Sequence, residues 1–313
     1  MPLDPGAEAF LKSRASLGLP DIKTNYQQIR QAGHADKEIS GPIETSVNIE
    51  HRFITSPTAD LPVRIYRPAI DEVIRGCLVF FHGGGWVVGN IDRWDAQLSQ
   101  ISKKADIVVV SVNYQKSPEH KFPIPFDDCF ATLEWVLENS EYLKIYKGKV
   151  GVGGDSAGGN LAAAVALKSR DEAIVKLAYQ ILLYPCLSLD FNTQSFIDYS
   201  EGYGLTRENM IWFWERYLDI DRDSLNPYAV PASSNSLHDV APAIIVTAEF
   251  DPLTDDSRNY MKKLEESNVD FTHRHFEGMI HGLFSQYKFV PKAFELVDFL
   301  AKEIMRKNLR ISK

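Results

Sequence analysis

"VGVGGDSAGGNLAAAVAL", residues 150–167, surrounds one hydroxyl, that of Ser156, with five glycines and then runs into small apolar residues. A flexible loop between a strand and a helix would have this composition, since glycine frees the backbone and serine turns it or caps a helix. A second reading explains more. Taken as Gly-x-Ser-x-Gly, the positions Gly154, Asp155, Ser156, Ala157 and Gly158 form the sharp turn by which a buried strand reverses straight into a helix. Small neighbours let the backbones approach, and the serine Oγ stands clear at the apex. On that reading the rest of the chain must supply a base, an acid and donors for an oxyanion.

Outward from this turn, short β-rich runs alternate with helical patterns from about residue 46 onward, the signature of a mostly parallel sheet with helices on both faces. "SVNIEHRFI" and "LPVRIYRP" come first with no helix between them and read as an antiparallel pair at one edge. "CLVFF", "IVVVSVNY", "KVGVGG", "AYQILLYP" and "AIIVTAE" are continuous apolar runs, as strands buried on both faces require, and "FTHRHF" alternates like a half-exposed edge strand. About eight strands result. Apolar positions at helical spacing mark "WDAQLSQISKKA", "PFDDCFATLEWVLEN", "GGNLAAAVALKSR", "LTDDSRNYMKKLEES" and "KAFELVDFLAKEIMRK". Residues 1–45 precede this alternation, and residues 187–220, with the aromatic-rich "RENMIWFWERYL", interrupt it. The expected organisation is therefore an α/β core over 46–186 and 221–313, with 1–45 and 187–220 as segments that carry function.

Composition narrows the class. At 44% hydrophobic and 24% charged residues over 313 positions, the chain reads as an ordinary globular protein with no run long enough to span a bilayer. A net charge of −8 and no dominant basic cluster argue against a nucleic-acid or anionic-membrane surface and make a neutral or cationic small substrate the easier expectation. Cys77, Cys129 and Cys186 are far apart, form no Cys-x-x-Cys and sit in apolar contexts, so buried free thiols are expected rather than disulfides or a zinc site. The N-terminus lacks a basic region followed by an apolar run, which predicts a cytoplasmic location.

"FFHGGGWVVGN", residues 80–90, follows the strand "CLVFF" directly. Glycines here matter for their N–H groups: Gly83 and Gly84 are predicted to aim two donors at a developing oxyanion, with Ala157 supplying a third. The base must be a histidine. His82 belongs to the glycine motif, His120 sits in "PEH", His273 and His275 fall on the edge strand, and His34, His51 and His238 have no motif around them. His281, in "EGMIHGLF" after the last strand, stands where the order serine, acid, histidine would deliver it. For the acid, the end of "AIIVTAEF" offers Glu249, Asp251, Asp255 and Asp256. Asp255 and Asp256 suit the positive end of a helix. Asp251, at the strand's end before Pro252, is the expected partner of His281, with Glu249 as the fallback.

The motifs "HGGGW" and "GDSAGG", with "NYQKSPEHKFP" between them, "DPL" later and "HG" last, closely resemble the hormone-sensitive-lipase-like esterases of the α/β-hydrolase fold over residues 46–300 or so. That resemblance implies a Ser156, Asp251, His281 triad, an oxyanion hole from Gly83, Gly84 and Ala157, and a helical cap made of residues 1–45 and 187–220. One departure is visible. Where the family commonly has Tyr-Arg-Leu-Ala-Pro-Glu, this chain has Tyr114, Gln115, Lys116, Ser117, Pro118 and Glu119, which puts a local salt bridge in question. The expected activity is hydrolysis of short- to medium-chain carboxylic esters without metal or cofactor. Trp86, Trp212 and Trp214 are expected to wall the pocket, and the "FTHRHF" edge is a candidate homodimer seam. Amide or formamide hydrolysis at the same site is the nearest alternative, and a ligand receptor on this fold, as in relatives that lost the histidine, is a second.

Overall fold

The computed structural model describes residues 2–33 and 41–310, so part of the 1–45 segment, His34 included, lies outside the described residues. Eight strands among them form one sheet: β1 (Asn48–Thr55), β2 (Asp60–Arg67), β3 (Arg75–Phe81), β4 (Ile107–Val112), β5 (Ile145–Asp155), β6 (Gln180–Leu183), β7 (Ala243–Phe250) and β8 (Phe271–Ile280). Their spatial order is β1-β2-β4-β3-β5-β6-β7-β8. β2 pairs antiparallel with β1 and β4, and every later neighbour is parallel.

β3 shows why the continuous apolar runs become central strands. Cys77, Val79 and Phe81 lie in one buried cluster, while Leu78 and Phe80 lie in another on the opposite side. Side chains alternate with a period of two, so a strand covered on both faces must be apolar at every position. The first face is covered by the helices Ile124–Glu138, Ala157–Asp171 and Thr254–Glu266, through residues such as Phe126, Leu133, Leu161 and Tyr260. Leu98 and Ile101 of the helix Asp95–Ala105 cover the other, together with Leu296 and Leu300 of the helix Pro291–Arg310. β8 ends the sheet as an edge, with His273, His275 and Glu277 exposed. Cys77, Cys129 and Cys186 are free and buried.

Residues 187–220 leave the sheet after β6 and carry the helices Gln194–Asp198 and Arg207–Tyr217. Thr206 caps the second, its hydroxyl accepting the Asn209 N–H at 3.0 Å. Two acids tie the start of this segment to the core. Asp256 Oδ2 accepts the N–H groups of Leu187 and Ser188 at 2.8 and 3.0 Å, and Asp255 Oδ2 accepts that of Ser195 at 2.8 Å. These acids thus do more than face a helix's positive end. The segment also meets the N-terminal helices: Lys23 pairs with Glu208 at 2.6 Å, and the rings of Tyr26 and Trp212 lie 6.3 Å apart.

At the departure from the family motif, Gln115 is anchored by hydrogen bonds. Gln115 donates its backbone N–H to buried Asp128 at 2.8 Å and its side-chain amide at 3.2 Å. Glu119 instead pairs in bidentate fashion with Arg30 of the N-terminal segment, at 2.9 and 2.8 Å. Arg30 also donates to the carbonyls of Val87 and Ser117 at 2.6 Å each, which links that segment to the glycine loop.

Burial pushes the Asp256 carboxyl up to about 7 despite its two N–H donors, and it pushes Asp155 up to about 6. Both native pKa values lie above that of an unfolded aspartate, near 3.9. From about pH 4 to pH 7 the folded chain therefore holds protons that the unfolded chain has released, and stability falls as pH rises through that window. Urea midpoints at about pH 4.5 and 7.5 are expected to fall less in Asp256→Asn than in the parent. An equal fall in both would refute this assignment.

Candidate active site

All the chemistry-bearing motifs emerge at the carboxyl ends of parallel strands, where open α/β sheets leave a crevice for ligands. β3 leads into the glycine loop, β5 into Ser156, β7 into Asp251 and β8 into His281. Ser156 has φ 55° and ψ −119°, a conformation that L-residues rarely adopt. It is held there by its N–H donating to Leu183 O at 2.8 Å and by its carbonyl accepting the Asn160 N–H at 3.1 Å as the helix begins. Such strain persists only where surroundings over-determine it, and a nucleophile elbow is one such place.

His281 bridges the other two side chains. Its Nδ1 lies 2.8 Å from Asp251 Oδ2, and its Nε2 lies 2.9 Å from Ser156 Oγ. A carboxylate only accepts, so Nδ1 carries the proton and Nε2 is left to accept from the serine hydroxyl. Asp251 is fully buried and aimed by the Leu253 N–H, which donates to its Oδ1 at 2.9 Å. The imidazole packs against the Tyr184 ring at 4.9 Å, and the His281 carbonyl accepts from Gln286 Nε2 at 3.0 Å. The structure brings together the three residues that the sequence order singled out. Glu249, the alternative acid, instead accepts the Gly278 N–H at 2.5 Å.

His82 is excluded as a base by its surroundings. It is fully buried, stacked on Tyr114 at 4.3 Å, and burial together with the Lys116 charge pushes its pKa down to about 3. His273 and His275 both contact Thr247 Oγ1, at 2.8 and 2.9 Å, away from the cleft.

The oxyanion expectation needs correction by one residue. The Gly83 N–H donates to Asp155 Oδ1 at 2.8 Å, so it is not available to a ligand. Gly84 and Gly85 both line the cleft over Ser156, and among the described residues their N–H groups donate to no protein acceptor. Both glycines have positive φ, 122° and 58°, and a Cβ on Gly85 would run into the Phe213 ring. Only glycine fits this loop.

The tryptophan expectation also fails, for a reason of packing. The cleft, about 310 Å³, is walled by Phe213, Leu205, Phe10, Leu11 and Val88, and none of the three tryptophans is part of its wall. Trp86 is fully buried, stacked on Tyr217 at 4.3 Å and 4.5 Å from Trp214, so these rings pin the helix Arg207–Tyr217 to the glycine loop from beneath. Trp212 faces Tyr26. Phe213, between two of these tryptophans on the helix, is the ring that reaches the cleft; no pattern within that helix distinguishes the face that would dock there.

A serine on a strained strand-to-helix turn, bonded to a histidine that a buried aspartate orients, at the ends of parallel strands with a glycine loop opposite, defines an α/β hydrolase. A family model described as alpha/beta hydrolase fold matches residues 78–285. The chain belongs to that family and, within it, to the hormone-sensitive-lipase-like carboxylic ester hydrolases. It is 32% identical to an arylesterase of Saccharolobus solfataricus, over 98% of this chain and 100% of that one. It is also 33% identical to the carboxylic ester hydrolase LipN of Mycobacterium tuberculosis, over 91% of this chain and 78% of that one. An esterase structure from Pyrobaculum calidifontis superposes with a TM-score of 0.87 at 34% identity, covering 97% of this chain and 99% of that one.

Proposed function

We propose that this carboxylesterase works through an acyl-enzyme formed on Ser156. The observation that carries the reading is the unbroken relay Ser156 Oγ, His281 Nε2, His281 Nδ1, Asp251 Oδ2, with links of 2.9 and 2.8 Å. Ser156 attacks the ester carbonyl as His281 takes its proton, and Asp251 stabilises the imidazolium. The N–H groups of Gly84, Gly85 and Ala157 receive the oxyanion. His281 then protonates the departing alcohol, and water, deprotonated by the same imidazole, releases the acid.

Residues 1–45 and 187–220 act together as a cap over this site. Support comes from the Lys23–Glu208 pair and from Phe10, Leu11, Leu205 and Phe213 sharing one cleft wall. The exposed β8 edge is offered as a seam for a homodimer. Three buried, unpaired cysteines fit a reducing cytoplasmic setting. Among the described residues, no helix is long and apolar enough to cross a membrane.

A cleft of about 310 Å³ lies at the small end of ligand pockets. Each methylene contributes about 0.8 kcal/mol only while it fits. Across p-nitrophenyl esters from acetate to palmitate, kcat/KM is expected to peak between roughly two and eight acyl carbons. A maximum at twelve carbons or beyond would contradict the small-cleft reading. Including the matching p-nitroanilides separates esterase from amidase, and turnover of neither would defeat the enzymatic reading.

A further inference from the structure

His281 is delivered by a loop, yet its imidazole must stay within hydrogen-bond reach of two side chains at once, Asp251 Oδ2 at 2.8 Å and Ser156 Oγ at 2.9 Å. Misplacing a reacting group by about 1 Å costs on the order of 100-fold in rate, so the ring has to be held. Tyr184, which follows β6 directly and is fully buried, meets all three segments that carry the relay. The peptide group joining Leu183 to Tyr184 is bonded at both ends. Its carbonyl accepts the Ser156 N–H at 2.8 Å, and its N–H donates at 2.7 Å to Val246 O on β7, the strand that leads to Asp251. The Tyr184 phenolic oxygen accepts the N–H of Phe284, in the loop just beyond His281, at 3.1 Å. The phenol ring meets the imidazole edge to face at 4.9 Å, with 65° between the planes.

The backbone at Tyr184 is unusual too. Its φ is 36°, in the left-handed region where a bulky side chain is an outlier. Such a conformation persists where surrounding contacts over-determine it, and these places cluster at active sites. Burial, together with the Asp155 charge, holds the phenol well above its ordinary pKa, so the group is a neutral hydroxyl. The ring is not part of the cleft wall and acts on the reaction only through its neighbours. We propose that Tyr184 is the positioning residue of the triad: its ring limits the swing of the His281 imidazole, and its hydroxyl ties the His281 loop to the strand end that also holds Ser156. This rests on the acyl-enzyme reading above and adds to it a residue that works through His281 rather than on the ester.

Two variants separate the contributions. Tyr184→Phe keeps the ring and removes the acceptor for the Phe284 N–H, whereas Tyr184→Leu removes both. On p-nitrophenyl butyrate, kcat is expected to fall roughly tenfold in the first and roughly 100-fold in the second, with KM within about twofold of the parent because the cleft wall is unchanged. Working sites are counted by labelling Ser156 with a fluorophosphonate, from which the serine oxygen displaces fluoride without any ester being turned over. The second-order labelling rate should fall in the same order as kcat. A merely structural tyrosine would lower Tm or the fraction of sites labelled and leave both rates per labelled site unmoved. That result, with esters still hydrolysed, would overturn the proposal and leave the esterase reading intact. A raised KM with kcat unchanged would also count against it, since it would place Tyr184 in substrate binding. Should Tyr184→Leu fail to fold, the rates of Tyr184→Phe decide. A parent that labels at Ser156 but hydrolyses no ester, with labelling slowed in the variants, would support the positioning role while removing the esterase reading.

Discussion

Ser156→Ala is expected to leave a folded protein whose ester hydrolysis falls to background, a loss of roughly 10⁴-fold or more. Ser156 Oγ makes its hydrogen bond to His281 Nε2, and removing the hydroxyl deletes the nucleophile while leaving the elbow's backbone bonds to Leu183 and Asn160 in place. Because the three side chains act as a unit, His281→Ala should cost a similar factor, and the double variant little more than either. Asp251→Asn should cost less, since it leaves the imidazole in place but with the wrong proton arrangement. Initial rates on p-nitrophenyl butyrate, with circular dichroism to confirm folding, decide the matter. His281→Ala turning over at the parent rate would show that another group serves as base.

Gly158→Ala is the substitution expected to damage the fold most. A Cβ at this position would collide with the carbonyl oxygen of Phe81 and lie 2.6 Å from the Phe81 carbonyl carbon and 2.8 Å from that of His82. These are backbone atoms at the end of β3, the strand between β4 and β5 in the middle of the sheet, so neither side can yield cheaply. The glycine is needed for approach rather than for an unusual φ: the helix Ala157–Asp171 passes against β3 at the point where both deliver their motifs. A forced shift would move the Gly84 and Gly85 amides relative to Ser156. Overpacking at backbone belongs to the severe class of single substitutions, about 4 kcal/mol or more, which for a chain of this size lowers Tm by about 6 °C or more. A soluble variant melting within about 2 °C of the parent would show that the helix can back away.

Much of this architecture is legible before any coordinates. Runs such as "CLVFF" and "IVVVSV" are apolar at every position because both faces are covered, and that alone requires helices above and below. The order of strand ends, from the glycine loop through Ser156 and Asp251 to His281, follows from chain connectivity, since each parallel strand delivers its next loop to the same edge. Hence the three polar side chains that meet at 2.8 and 2.9 Å are nameable from motif and order.

What tertiary structure alone decided concerns groups whose partners are distant in the chain. Three adjacent glycines are equivalent as letters; that Gly83 is occupied, leaving Gly84 and Gly85, depends on a carboxylate 72 residues away folding back to its amide. Likewise, the helix Arg207–Tyr217 is aromatic on several sides, and only its docking on Trp86 through Trp214 and Tyr217 turns Phe213, rather than a tryptophan, to the cleft. Which charged side chains border Ser156 was hidden for the same reason. Sequence determined the net charge of −8, a sum without positions, whereas the presence of both Arg14 and Arg93 in one cleft wall, with 78 residues between them in the chain, is decided by the fold.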